Sequence, residues 1–533
     1  MFRTLTNHTG TLARLILRRD RIRIPLWLFG ITFFTVIIPI AFDSMYASQQ
    51  ERDAMAETMK NPAMIAMVGP ADLDNYTTGV MTAHNMLLFT AIAVGLMSIL
   101  LVARHTRTDE EEGRLEMIRS LPVGKLANIN ATLLVLAGAN LFLALLNGFG
   151  LYALGIESMD LEGSLLYGAT LGGAGILFAG ITAVFAQLSE SARGTIGYSI
   201  AALIIAYLLR AAGDVSDSAL SLLSPLGWVT KTEAYAKNAW WPIFLLIGAA
   251  ILLFILANYL NAIRDLGAGF IRVKPGKKNA SPFLQSPLGL ALRLQRTAGI
   301  SWGIGMLAIG ISYGSVMGDL ESFFAENELL EQMLVAEEGY TLTEQFIPML
   351  FMVLGILAAI PPILSAHKFI GEEKKNRLEH LLARAVSRTN LFSSYLFIAI
   401  ANGFIMMTLT AIGLWSAAAA VMEEAFAFSA VYGAAMAYYP AMLVMIGLAL
   451  FFIGCLPKFT PLVWLYLAYS FFALYLGRLF QVPDWAGKLS PYGHVPQLPI
   501  ESMKWPTAIV LTVIAALFTA LGWMGIKKRD IEG

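Results

Sequence analysis

Two short segments of the sequence place carboxylates and an arginine around a leucine in the same order. One lies within residues 111–125 and the other within 372–388, and the core Arg-Leu-Glu occurs in both. Carboxylate and guanidinium groups form ion pairs and charge-assisted hydrogen bonds, so a charged segment used twice predicts a duplicated protein-docking surface. The candidate docking residues are Glu111, Glu112, Arg114, Leu115, Glu116 and Pro122 in the first segment and Glu372, Glu373, Arg377, Leu378 and Glu379 in the second.

Both segments are expected to contain a short amphipathic helix. Leu115, Ile118 and Pro122 fall at helical spacing and predict one apolar stripe, and Leu378, Leu381 and Ala385 repeat it. The alternative is a solvated loop whose positive charges merely fix the orientation of the chain in a membrane. Two copies with one core favour the docking interpretation.

Long apolar stretches surround these segments. Hydrophobic residues make up 57% of the 533 residues and charged residues only 14%, which no soluble core of this size could accommodate. A bilayer-crossing helix needs about 20 apolar residues. We therefore predict an all-α polytopic membrane protein of about twelve transmembrane helices, at roughly 24–43, 81–103, 126–154, 164–187, 194–213, 240–262, 297–318, 346–366, 389–421, 428–456, 459–480 and 506–526.

Basic residues predict the orientation of these helices. Arg14, Arg18 and Arg19 precede the first span, and Lys527 and Lys528 follow the last. Because Lys and Arg favour the cytoplasmic side, both termini and both charged segments are expected there. These basic residues flank spans, so a nucleic-acid partner is not indicated. The lone cysteine, Cys455, excludes an intrachain disulfide.

Internal similarity predicts two six-helix halves that insert in the same direction. Residues 223–229 resemble 489–495, and the two Arg-Leu-Glu motifs lie in nearly the same register. The Pro and Gly of each of these segments fit a bent hairpin at the membrane interface, and the alternative is a plain surface turn. The predicted domains are a first six-helix half at 1–265, a cytoplasmic basic linker at 266–296 and a second six-helix half at 297–533.

A few residues within the spans could have special roles. Arg210 and Arg478 occupy matching positions, and each is expected to extend its guanidinium toward the interface rather than to contact a substrate. Gly310, Gly314 and Gly318 predict close helix packing or, alternatively, a moving interface between the halves along the substrate path. No metal site is expected.

The two charged segments resemble the cytoplasmic coupling helices of type-2 ABC exporter permeases, and the duplicated form resembles exporter permeases for polyketide antibiotics of the tetronasin type. The second segment departs from that pattern, with Asn376 in place of Gly113 and Ala385 in place of Pro122. The resemblance implies a plasma-membrane exporter of a hydrophobic or amphipathic drug in a bacterium. It also implies two copies of a separate ATPase subunit, which carry the ATP and magnesium.

Energy coupling separates this function from its alternatives. The chain contains no G-x-x-x-x-G-K-[ST] phosphate loop, so it is not expected to hydrolyse ATP by itself. The main alternative is an ion-coupled secondary transporter with two parallel halves. Such carriers usually need carboxylates at mid-membrane, whereas the predicted spans hold only Asp43, at one end. An intramembrane enzyme would need paired catalytic groups that the spans do not show.

Overall fold

A computed structural model describes residues 5–216, 219–271, 278–319, 342–374, 376–383, 386–422, 426–477 and 483–529. The chain divides into two compact units, Met1–Pro275 and Gly276–Gly533. In the described residues the only β-type pairing is a single bridge between Ser189 and Ile271.

The described residues of the first unit contain eleven numbered α-helices, besides the three-residue helix Asp109–Glu111. They are α1 (Thr9–Arg19), α2 (Arg23–Met45), α3 (Gln49–Met59), α4 (Pro62–Val68), α5 (Thr78–Ala103), α6 (Arg114–Arg119), α7 (Ala127–Tyr152), α8 (Leu161–Leu188), α9 (Ala192–Val215), α10 (Pro225–Thr230) and α11 (Trp241–Ile263).

The described part of the second unit contains ten. They are α12 (Pro287–Val316), α13 (Leu342–Ala358), α14 (Ile360–Glu373), α15 (Arg377–Leu382), α16 (Arg388–Val421), α17 (Phe428–Ala437), α18 (Tyr439–Cys455), α19 (Leu462–Phe471), α20 (Asp484–Lys488) and α21 (Trp505–Lys528).

The long helices confirm the predicted all-α membrane class. Eleven segments of the described chain are long and apolar enough to cross a membrane. The remaining predicted span, 459–480, is represented by α19 and a π-helical stretch, Phe472–Leu476, and residues 478–480 lie outside the described part. Together these two pieces are shorter than the roughly 20 residues that a bilayer requires.

Hydroxyl and carboxylate side chains begin several of the long helices. Asp160 caps α8, Ser191 caps α9 and Ser387 caps α16, each by accepting a hydrogen bond from a backbone N–H of the first turn. Such caps satisfy donors that have no partner within the helix. The cap residues therefore fix where these spans begin.

Each unit has its own apolar core. In the first unit α8 is the central helix, and α5, α7 and α11 pack around it. In the second unit α12 packs on α16, and α18 packs on α21. The first unit also has a small satellite cluster, formed by α3, α4 and the start of α5, which includes Met59, Val68 and Tyr76.

The predicted interfacial segments both begin a short helix after a Ser-Pro pair. Ser224 caps α10, with Pro225 in its first turn. Ser490 likewise precedes a 3-10 turn, Pro491–His494. Ser224 also donates a hydrogen bond to the carbonyl of Ala206 at 2.6 Å, which ties the segment to α9.

Candidate functional site

The first charged segment forms a sharp turn after the second span. Beyond α5 the helix widens into a π-helical stretch, Arg104–Thr108, and then continues as Asp109–Glu111. Gly113 has a φ of 72°, a left-handed conformation that glycine adopts without steric cost, and α6 starts at the next residue. We call residues 109–119 the first hinge.

The second segment repeats this turn. The helix α14 ends at Glu373, Asn376 has a φ of 57°, and α15 starts at Arg377. Asparagine is one of the few residues besides glycine that tolerates the left-handed region. The replacement of glycine by Asn376 therefore preserves the backbone. We call residues 372–382 the second hinge.

Each hinge helix is held by its leucine. Leu115 is 4% exposed and Leu378 is 1% exposed, whereas Glu116 and Glu379, the next residues, are exposed. The predicted apolar stripe is only partly correct, because Ile118 is half-buried and Pro122 is exposed. Leu381 is half-buried in the second hinge, and Ala385 lies outside the described residues.

Several acidic residues expected on the docking surface make contacts inside their own unit. Glu111 accepts a hydrogen bond from the backbone N–H of Ala192 at 2.9 Å. Glu372 is buried and pairs with Lys368 at 3.0 Å and with Arg377 at 3.2 Å. Glu372 is therefore not available to a partner, whereas Glu111 is exposed and uses only one carboxylate oxygen in its contact.

The remaining hinge residues form the exposed surface of the two turns. Glu112 is exposed and pairs with Arg114, which is about one-third exposed. Met117 and Leu121 are also exposed beside Glu116. The exposed residues of the first hinge are Glu111, Glu112, Glu116 and Met117, with Leu121 and Pro122 exposed just beyond it, and those of the second hinge are Lys374, Asn376, Arg377, Glu379 and His380.

A bidentate ion pair ties each hinge to the end of the last helix of its unit. Arg264, directly after α11, donates from both terminal nitrogens to the two carboxylate oxygens of Glu110 at 2.8 Å each. Arg529, directly after α21, contacts both oxygens of Glu373 at 2.8 and 2.7 Å. We call these two pairs the Glu–Arg clamps. Arg264 meets Glu110 with two parallel N–H···O bonds, a geometry that fixes orientation as well as distance, whereas Arg529 reaches both oxygens of Glu373 through one terminal nitrogen.

Two further contacts, beside the clamps, are made by residues at equivalent positions in the two units. Lys125 donates to the carbonyl of Ala262 at 2.8 Å, and Arg388 donates to the carbonyl of Ile526 at 3.4 Å and to that of Arg529 at 2.7 Å. Cationic side chains thus bind the last carbonyl groups of α11 and α21, where the helix dipole favours positive charge.

The ion pairs within the hinges are also duplicated. Arg114 approaches Asp109 at 3.4 Å, and Arg377 approaches Glu372 at 3.2 Å. One turn earlier, His105 lies 3.8 Å from Asp109 at the position where Lys368 pairs with Glu372. Both hinges are therefore built by one set of ion pairs.

The first hinge has an additional attachment to the N-terminal helix. Arg19, at the end of α1, makes a bidentate pair with Asp109 at 2.7 and 2.8 Å, and Asp20 contacts His105. The hydrogen bond to Asp109 raises the pKa of Arg19 above its usual value. These contacts tie α1 to the first hinge.

Arg210 does not extend toward the interface as expected. Its side chain is fully buried, lies 3.2 Å from Asp214, and donates to the carbonyls of Ala66 and Met67 at 2.6 and 3.2 Å. It therefore caps the C-terminal end of α4, a position where a cation is favoured. Arg478, its predicted counterpart, lies outside the described residues.

The glycine stripe packs α12 against α16 within the second unit. A Cβ atom at Gly310 would lie 2.4 Å from the carbonyl oxygen of Thr410, and one at Gly314 would lie 2.3 Å from that of Leu414. Gly318 faces Val421 in the same way. The contacts of the stripe thus fit the helix-packing interpretation.

Sequence reasoning named Glu373 only as a docking residue and missed the other clamp residues, Glu110, Arg264 and Arg529. Glu110 and Glu373 lie 263 residues apart, in the register of the Arg-Leu-Glu motifs, and Arg264 and Arg529 each come directly after the last helix of their unit. That shared position was the available signal.

In the described part of the chain no cluster of His, Cys, Asp and Glu could hold a metal ion.

Comparison with known proteins gives a match over almost the whole chain. The family model described as "Multidrug efflux system permease Rv1217c, C-terminal domain" matches residues 10–260 and 284–527, which include both hinges. The multidrug efflux system permease protein Rv1217c of Mycobacterium tuberculosis (strain ATCC 25618 / H37Rv) is 35% identical over 533 residues, 98% of this chain and 96% of that protein. The chain belongs to the family of the multidrug efflux system permease Rv1217c.

Proposed function

We propose that this chain is the membrane-spanning permease subunit of an ATP-driven exporter of the ABC type. Its cargo is a hydrophobic or amphipathic compound such as a drug or antibiotic, in keeping with the name of its M. tuberculosis relative. It lies in a bacterial plasma membrane with both termini and both hinges on the cytoplasmic side.

The duplicated hinge is the observation that carries this proposal. Each hinge presents an exposed acidic residue, Glu116 or Glu379, on a six-residue helix that is anchored by a buried leucine and clamped to a span. A surface that is exposed at its tip and rigid at its base can receive force from a partner and transmit it to the spans. Two such surfaces indicate two ATPase subunits, which bind the ATP and magnesium.

The positions of the carboxylates disfavour the ion-coupled alternative. In the described spans, every Asp and Glu lies in the first or last turn of its helix, such as Asp43 in α2 and Asp214 in α9. A proton- or sodium-coupled carrier usually needs a titratable group at mid-membrane. The same positions offer no paired acid and base for an intramembrane enzyme.

Drug uptake into inverted membrane vesicles tests the energy source. Vesicles that contain this chain and its ATPase subunit should accumulate a fluorescent drug when ATP is held constant and an uncoupler is present. The matched control carries a phosphate-loop lysine variant of the ATPase and should not accumulate the drug. Uptake that stops with the uncoupler, or continues without ATP, would show a secondary transporter instead.

A further inference from the structure

A wide groove opens between α12 and α16 in the second unit. The two helices touch backbone to backbone at Gly310 and Gly314, but they separate toward the start of α12. At Gly303 the nearest atom to an added Cβ is the tip of Leu409 at 3.1 Å, and at Gly299 nothing lies within 4 Å. The groove encloses about 750 Å³, a volume within the usual range of small-molecule sites.

The walls of this groove are apolar and accessible. Ile300 and Ile304 of α12 face Phe397 and Ile405 of α16, and all four side chains are roughly half exposed or more. The depth of the groove contains one internal polar pair, in which Asn402 donates to Ser365 at 2.9 Å. A long hydrocarbon chain fits such walls without leaving polar groups unsatisfied.

The mouth of the groove is cationic. Arg293 and Arg296, one turn apart on α12, are exposed and have no ion-pair partner among the residues that the structure describes. Gln295, between them, also lines the groove. Two guanidinium groups that have no ion-pair partner in the described structure suit a phosphate group.

We propose that this groove binds an anionic glycerophospholipid of the surrounding membrane. The acyl chains lie between α12 and α16, and the phosphate contacts Arg293 and Arg296. Basic pockets between transmembrane helices are known to select acidic headgroups. The site is separate from both hinges, and it requires neither ATP nor a transport substrate.

Native mass spectrometry of the purified chain in detergent tests this proposal, with phosphatidylglycerol and phosphatidylcholine as probes. The double variant Arg293→Gln/Arg296→Gln should bind phosphatidylglycerol about tenfold more weakly and phosphatidylcholine unchanged. The matched control is Arg14→Gln/Arg18→Gln, which removes two exposed arginines from α1 that do not line this groove. Equal losses in both double variants would show general surface attraction and overturn the proposal.

A second pair of variants tests the apolar part. Gly299→Leu should fill the groove and reduce the binding of both lipids, whereas Gly305→Leu on the same helix should have no effect. Both positions are open enough to accept a side chain, since nothing lies within 4 Å of either Cβ, but only Gly299 lines the groove. Normal lipid binding by Gly299→Leu would exclude this groove. The assay contains no ATPase, so its result is independent of the proposed export function.

Discussion

At the residue scale, the hinges show how one backbone requirement is met by two different residues. Gly113 and Asn376 both adopt the left-handed conformation that ends one helix and starts the next. A Cβ atom added at Gly113 would have no neighbour within 4 Å. The left-handed backbone conformation, and not a lack of space, therefore limits which residues can replace Gly113. The apparent departure of the second hinge from the family pattern is therefore conservative.

This equivalence predicts the outcome of exchanging the two residues. Gly113→Asn and Asn376→Gly should leave their hinges intact, whereas Gly113→Val should destabilise the turn by about 1–2 kcal/mol, because a β-branched residue is strained in the left-handed region. Hydrogen–deuterium exchange of residues 109–119 measures this directly. Faster exchange in Gly113→Asn than in Gly113→Val would contradict it.

The two Glu–Arg clamps differ in burial, which predicts different costs of breaking them. Glu110 pairs with Arg264 and Arg107, whose side chains are 5% and 1% exposed, whereas Glu373 pairs with Arg529, which is 23% exposed. Removing one member of a buried ion pair costs about 3–5 kcal/mol, because the other charge stays buried. Breaking an ion pair that is partly exposed to solvent costs less free energy.

Glu110→Gln should therefore destabilise the purified chain by about 3–5 kcal/mol, and Glu373→Gln by roughly 1–2 kcal/mol. Unfolding by heat or denaturant in detergent micelles measures the difference. Glu379→Gln, which removes an exposed carboxylate on α15, is the control and should change little. A ranking in which Glu373→Gln is the more damaging would show that burial does not set these costs.

At the element scale, the two hinge helices share a frame but expose different surfaces. In the first hinge the exposed Glu116 has Met117 and Leu121 beside it, 66% and 59% exposed. In the second, Glu379 is followed by His380, and no large apolar side chain there is comparably exposed among the described residues. A docked partner would bury more apolar area on the first hinge.

This difference predicts asymmetric coupling. Glu116→Lys should uncouple drug transport from ATP hydrolysis more strongly than Glu379→Lys, while both variants insert and express normally. Reconstituted complexes give the ratio of drug moved to ATP hydrolysed for each variant. Equal losses at the two positions, or none at either, would exclude unequal docking.

The glycine stripe of α12 predicts that close packing against α16 is required for stability and transport. Gly314→Leu should force α12 away from α16, because its Cβ would lie 2.3 Å from the carbonyl oxygen of Leu414. We expect impaired transport and a lower unfolding temperature. Gly305→Leu, at an open position on the same helix, should preserve both, and a loss there as large as at Gly314 would point to a general effect of leucine on α12.

At the scale of the whole molecule, long apolar helices could be read from the sequence because a bilayer requires a fixed length of apolar chain. The Arg-Leu-Glu repeat likewise located both hinges. Ion pairs such as Glu110–Arg264 could not be derived, since they join residues 154 positions apart whose meeting depends on how spans pack. The burial of Arg210 was missed for the same reason, because its acceptors belong to α4, a short helix outside the spans.

The whole chain is expected to depend on a partner protein for its energy. Its sequence lacks a phosphate loop, so no backbone cradle for ATP phosphates can form and the purified chain should hydrolyse no ATP. Adding the proposed ATPase subunit should give the complex ATP hydrolysis, and the drug should stimulate it through the hinges. The Glu116→Lys variant should keep basal hydrolysis by the ATPase but lose most of the drug stimulation, because docking at the first hinge is disturbed. Nucleotide-dependent turnover by the isolated chain, free of contaminating ATPase, would show that energy enters without a partner, and the hinges would then need another role.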